Sequence, residues 1–177
     1  MEIKILTREE QGQYGEEILH MLIASDDEFV PPLSARTSNT QKDLSCAEKA
    51  PEGVLAYFKE TMKQRLLVAT EAGKVIGFVT YMENFENEHF GEDALPNLYI
   101  CTLIVSPDGR GKGLTQKMYT HLFDAYAHAN VFTRTWSTNQ AHMRILSKFD
   151  FQIIDVLKDD RGEGIDTIYF KKKKQRM

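Results

Sequence analysis

The chain has 177 residues, 42% of them hydrophobic, and a net charge of −4. One domain is expected, and no strong positive field is available to hold nucleic acid or an anionic membrane. Cys46 and Cys101 lie far apart and form no CxxC pair, so neither a disulfide framework nor a zinc site is expected, and no metal. With a charged N-terminus and no apolar run near the ~20 residues of a membrane span, a cytoplasmic protein is the expectation.

Glu2 to Leu6 reads as a strand, and Thr7 caps a helix running to about Ala24 with glutamates in its N-terminal half. A long polar loop carries Asp26, Asp27 and Glu28, and Pro51 opens a second helix to about Lys63. Leu66–Thr70 and Val75–Met82 form a hairpin around Gly73. A second polar loop holds Glu86, Glu88, Glu92 and Asp93, and the apolar run Leu98 to Val105 suits a central strand. Leu114, Met118, Leu122 and Tyr126 recur every four residues, the mark of a helix with one buried face. Strand Val131–Ser137, helix Asn139–Phe149 and strands Phe151–Val156 and Ile165–Phe170 complete a mixed α/β domain, one sheet with helices on both faces. The domain is expected over 1–171, with 172–177 a solvated basic tail.

Between the central strand and the long helix lies SPDGRGKGLT, with glycines at 109, 111 and 113 and charges at Arg110 and Lys112. Bare backbone at a helix N-terminus makes an anion cradle, reinforced by the helix dipole. A plain glycine-rich turn is the alternative. The P-loop pattern fails because Leu114, not lysine, follows Gly113. The dinucleotide pattern fails because Leu114 or Gln116 stands where its third glycine belongs.

RGKGLT, Arg110 to Thr115, resembles the [QR]-x-x-G-x-[GA] motif of the Gly-N5-acetyltransferase-related N-acetyltransferases, the GNAT superfamily, with Thr115 departing at the sixth position. VIGFV before it and N-x-x-x-x-x-x-L-x-K-x-x-F after it, Asn139 to Phe151, fall in the order of that family. The resemblance implies a largely antiparallel sheet of about seven strands and acetyl-CoA as cofactor. It implies that backbone N–H groups of Arg110, Gly111, Lys112, Gly113, Leu114 and Thr115 hold the pyrophosphate, and that Leu103, Ile104 and Val105 pair with the pantetheine arm where two strands splay. Asn139 matches an asparagine that approaches the cofactor arm in relatives, and also reads as a helix cap. Relatives are often dimers, so a homodimer is an expectation too.

The family's catalytic tyrosine position is Leu146, and its glycine before the helix-ending Phe is Asp150. His142, one turn before Leu146, is a candidate replacement acid. Many relatives carry a strand carboxylate where this chain has Cys101 and Thr102, which leaves Glu83, ending the preceding strand, as candidate base through a water. Tyr81 and Tyr99 would line the cleft or fill core, and His20, His121 and His128 read as structural. Asp26, Asp27 and Glu28, with the acidic second loop, suggest a mouth that favours a small cationic amine. The reading is an acetyl-CoA-dependent N-acetyltransferase acting on a small-molecule amine. A non-catalytic acyl-CoA-binding or regulatory module, and a phosphate-ligand protein unrelated to CoA, are the alternatives.

Overall fold

The computed structural model describes residues 1–45, 47–92 and 94–174; Cys46, Asp93 and the tail residues Gln175 to Met177 lie outside them. Seven strands form one sheet in the order β1-β2-β3-β4-β5-β7-β6. They are β1 (Glu2–Ile5), β2 (Arg65–Glu71), β3 (Lys74–Glu83), β4 (Asn97–Val105), β5 (Asn130–Trp136), β6 (Gln152–Leu157) and β7 (Thr167–Lys172). Every pairing is antiparallel except β4 with β5.

Among the described residues five α-helices flank the sheet: α1 (Arg8–Gln11), α2 (Gly15–Ala24), α3 (Leu55–Thr61), α4 (Leu114–Ala125) and α5 (Gln140–Lys148). Thr7 starts the first with a reciprocal cap, its side chain accepting from the Glu10 N–H while the Glu10 carboxylate accepts from the Thr7 N–H at 2.9 Å. The single helix expected to Ala24 is divided by a 3₁₀ turn at Gly12–Tyr14, where glycines 12 and 15 weaken helix propensity. The helix expected from Pro51 begins only at Leu55. Gly53 has φ 63°, a left-handed conformation that blocks an earlier start.

α4 and α5 cover one face of the sheet, where Met118, Tyr119, Leu122, Phe123 and Leu146 pack on Leu67, Val79, Ile100 and Val131. On the other face α2 and α3 set Ile18, Leu22 and Tyr57 against Leu66, Phe78 and Ile104. Beside them the 84–96 loop lays Phe85 and Phe90 over Tyr99, Phe132 and Tyr169. β7 ends two residues later than expected, so Lys172, expected to open the tail, belongs to the sheet with Lys171. Lys172 donates to the Phe149 carbonyl at 3.1 Å, and the Lys171 ammonium lies 5.2 Å from the Phe132 ring centroid.

Candidate active site

β4 and β5 separate partway along their length. Parallel pairing holds from Asn97 opposite Asn130 to Ile100 opposite Thr133, and then stops. β4 stays paired with β3 as far as Val105, and β5 stays paired with β7 as far as Trp136. The slit is therefore bounded by two strands each held from its outer side. A bulge marks the fork: Tyr81 faces Ile100 and Thr80 faces Thr102, leaving Cys101 as the extra residue. Such an insertion bends and twists its strand, here just where the ladder opens.

The slit widens into a cleft of about 400 Å³ lined by Ile100 to Val105 on one side and Thr133 to Trp136 on the other. Phe29 and Glu28 from the α2–α3 connection close one end, and Asn139, His142 and Ile145 of α5 line the floor. Arg110 and Thr115 join the wall where β4 runs into α4. The volume is that of a small-molecule site.

At that junction the three glycines play two different roles. A Cβ on Gly109 would lie 2.8 Å from the Ile76 carbonyl oxygen and 3.0 Å from Val105 Cγ1, so this glycine is required by close packing. Gly111 and Gly113 have φ 74° and 67° and face open space. Left-handed backbone explains these two. Gly113 is the N-cap of α4 and no side chain caps that helix, which presents its first-turn N–H groups outward. The Lys112 side chain is drawn to Glu71 at 3.1 Å, while Leu114 is buried in the core. What this loop offers a ligand is therefore backbone more than side chain.

Asn139 serves two structural bonds at once. Its Oδ1 accepts from the His142 N–H at 3.3 Å as the α5 cap, and its Nδ2 donates to Thr135 Oγ1 at 3.0 Å, tying α5 to β5. His142 lines the cleft and its Nε2 is 2.8 Å from the Tyr119 hydroxyl. Burial pushes its pKa down to about 4, so the ring is neutral near pH 7. The sequence offered His142 as a replacement acid; a neutral ring at this position is a weak proton donor. Leu146 is fully buried in the helix-side core, and Asp150 adopts φ 60°, the conformation in which glycine is favoured. Cys101 faces the cleft, and burial pushes its thiol up, keeping it protonated.

Glu83, Tyr81 and Tyr99 do not line the cleft. Glu83 ends β3 beyond the fork and accepts from the Tyr126 hydroxyl at 2.6 Å, with Tyr126 bonded in turn to Tyr81 at 3.1 Å. Tyr99 is packed among Phe85, Phe90 and Phe132. The acidic mouth is also absent in the form expected. Asp26 accepts from the Ser34 N–H at 2.7 Å and its hydroxyl at 2.8 Å, and Asp27 pairs with Lys49 at 2.8 Å. Glu28 reaches the cleft, but both its oxygens accept from Arg110 Nη2 at 2.8 Å. Glu86 and Glu88 border a separate hollow, and the loop that carries them covers the Tyr99 side of the sheet.

Phe29, Trp136, Thr102 and Arg134 were not foreseen as cleft residues. Thr102 is held from the α2–α3 side by the Tyr57 hydroxyl at 2.7 Å and by Asn39 Nδ2 at 3.2 Å. For β5 the signal was present: in VFTRTW the two-residue period puts Arg134 on one face with Phe132 and Trp136. A charge within such a row marks a site. Among the described residues, no cluster of three or more His, Cys, Asp or Glu side chains is disposed to hold a metal ion, and no helix is long and apolar enough to cross a membrane.

Residues 34–151 match the family model of the acetyltransferase (GNAT) family, over more than half of the chain. The protein belongs to the GNAT acetyltransferase family. Acetyl-CoA is the acyl donor of GNAT acetyltransferases. No curated protein matches the chain significantly. Among solved structures it is similar to an N-acetyltransferase from Staphylococcus aureus Mu50, at 17% identity over 98% of each chain and a TM-score of 0.63. A Salmonella typhimurium protein assigned as an acetyltransferase, solved with its cofactor acetyl-CoA, shares 16% identity over 100% of this chain and 95% of its own, with a TM-score of 0.62. An aminoglycoside 6'-acetyltransferase type Ii shares 14% identity over 100% of this chain and 99% of its own, with a TM-score of 0.68. At these identities the likeness is one of fold.

Proposed function

We propose that the protein is an acetyl-CoA-dependent N-acetyltransferase that acetylates a primary amine by its direct attack on the thioester. The observation that carries this reading is the slit between β4 and β5, which runs into the uncapped N-terminus of α4 within one cleft. The residues fit acetyl-CoA: open left-handed glycines at the loop, an unpaired strand edge beyond Ile100, and room between the strands. Bound there, acetyl-CoA would supply the activated acyl group.

The chain's own part is to bind, align and enclose. N–H groups from Arg110 to Thr115 hold the anionic end, the dipole of α4 adding to their pull. The backbone of Leu103 to Val105 orients an extended ligand as an added strand would. Thr102 and Arg134 face the acceptor from the side of the sheet opposite α4, and aligning the two reactants supplies much of the rate. Glu28 is the only carboxylate of the cleft wall among the described residues, and Arg110 holds it. The amine therefore reacts as its neutral fraction and gives its proton to water, and neutral His142 leaves protonation of the departing thiolate to solvent.

A panel of amines incubated with acetyl-CoA tests this, with free thiol followed by colorimetry and the acetylated amine by mass spectrometry. Thiol release that depends on an amine, with a matching acetylated product, is expected. If folded protein binds CoA and releases no thiol with any amine, it is a binding module instead.

A further inference from the structure

Three arginines gather on the sheet face opposite α4, beside the fork. Arg36 and Arg161 are 6% and 5% exposed, figures usual for apolar core, and Arg134 is largely covered. All three are held by neutral acceptors. Arg36 donates to the Val30 carbonyl at 3.0 Å and to the Pro31 carbonyl at 2.8 and 3.0 Å. Arg161 donates to the Val30 carbonyl at 2.7 Å and to Thr167 Oγ1 at 2.8 Å. Arg134 donates to the carbonyls of Asn39 at 3.1 Å and Gln41 at 2.7 Å, and to the Tyr169 hydroxyl at 3.3 Å. Among the described residues, none of the three forms an ion pair with a carboxylate. Asp160, an acidic group whose field reaches Arg134 and Arg161, accepts from the Thr167 hydroxyl.

Buried charges are ordinarily paired. Here like charges repel: burial, then Arg36 and Arg134, push the Arg161 pKa down to about 9. The cluster also opens on the cleft. Arg134 lines it, and so do Phe29 and Trp136, whose rings carry the other two guanidiniums at 5.6 Å each. Arg134 follows Thr133, the last β5 residue paired with β4. An anion meeting Arg134 therefore sits at the fork, within the field of all three arginines, and close to where the donor's acyl end must lie.

Building on the N-acetyltransferase reading, we propose that the acceptor is a small primary amine that also carries a carboxylate, an amino acid in chemical class, with the carboxylate held at Arg134. The donor's phosphates do not compete for this place. Their cradle is the glycine loop, at the far end of β4 and toward α4. The carboxylate supplies the missing countercharge, and its short link to the amine sets the nitrogen at the slit. The cationic amine expected from the acidic loop loses its basis, because Asp26, Asp27 and Glu28 are each engaged within the protein.

The test compares free amino acids with their carboxamides as acceptors for the wild-type protein at saturating acetyl-CoA. An amide's amine is the less basic and more of it is neutral, so intrinsic reactivity favours the amide, and a preference for the acid must come from binding. We expect kcat/KM to favour the acid on the order of 10- to 100-fold, the worth of a charged hydrogen bond. Arg134→Gln should erase that preference, Arg134→Lys should keep part of it, and KM for acetyl-CoA should stay within about twofold in both. If amides or uncharged amines are acetylated as well as the acids, the carboxylate site is refuted while N-acetylation stands. Refusal of every amine by protein that binds acetyl-CoA sinks both. The wild-type comparison decides even where a substitution prevents folding.

Discussion

Gly113→Asp isolates the anion cradle from the fold around it. Gly113 has φ 67° and ψ 22°, and a Cβ there meets nothing within 4 Å. Aspartate visits left-handed backbone more readily than most residues, so the folding cost is about 1 kcal/mol. Part of that is offset, since a carboxylate at a helix N-terminus is worth about 0.3–1 kcal/mol. The mutant should therefore fold, and the loss should fall on the ligand. The new carboxylate takes over N–H groups meant for phosphate, a charged hydrogen bond of about 1.5–3 kcal/mol. Repulsion between charges about 4 Å apart in water adds about 1 kcal/mol. A combined loss of roughly 2.5–4 kcal/mol raises Kd for CoA by roughly 70- to 900-fold. Titration calorimetry reads this directly, with Gly113→Ala as a control that adds a methyl group to open space and should move Kd by less than about fivefold. A folded Gly113→Asp protein with the parent Kd would show that the loop is only a turn.

His142 makes a pH prediction. Its folded pKa of about 4 lies below its ordinary value of 6.5, so the unfolded chain binds the extra proton first. The stability from the neutral ring is complete above about pH 6.5 and is lost as pH falls toward 4, by up to about 3 kcal/mol. Urea unfolding of wild type and His142→Gln at pH 7.5 and pH 5 should show a gap that shrinks at the lower pH; a constant gap removes the burial argument. Glu83→Gln should leave kcat within about twofold, since its carboxylate is engaged by Tyr126 away from the cleft. A fall nearer the ~10²-fold of a lost general base in steady-state assays would return Glu83 to the mechanism.

The strands and the glycine junction were legible because their signals are local. Periodicity at Leu114, Met118 and Leu122, and a reciprocal cap at Thr7 and Glu10, need no distant partner. The acceptor wall was not legible for the opposite reason. The polar segment after Ala24 is ordered by contacts from far along the chain, Arg161 to the Val30 carbonyl and Arg134 to the carbonyls of Asn39 and Gln41. Its charge was misread for the same reason. Asp26, Asp27 and Glu28 are a solvated acidic run as a string of letters, yet each finds a different partner, Ser34, Lys49 and Arg110. Glu83 looked free at a strand end, and only the packing of α4 brings Tyr126 to it.

The fork at Ile100 also bears on how the protein keeps to itself. Unpaired strand backbone is normally found at the rim of a sheet, where it invites neighbouring chains to add on. Here a stretch of it is moved inward, flanked by strands that are locked on their far sides and floored by α5. A second protein strand would have to enter between β4 and β5 with both its rows of side chains. A thin, flexible, amide-bearing chain passes. The same hydrogen-bonding groups that would be sticky outside are thus made selective by where they are placed, and the opening filters visitors by cross-section before any charge is read.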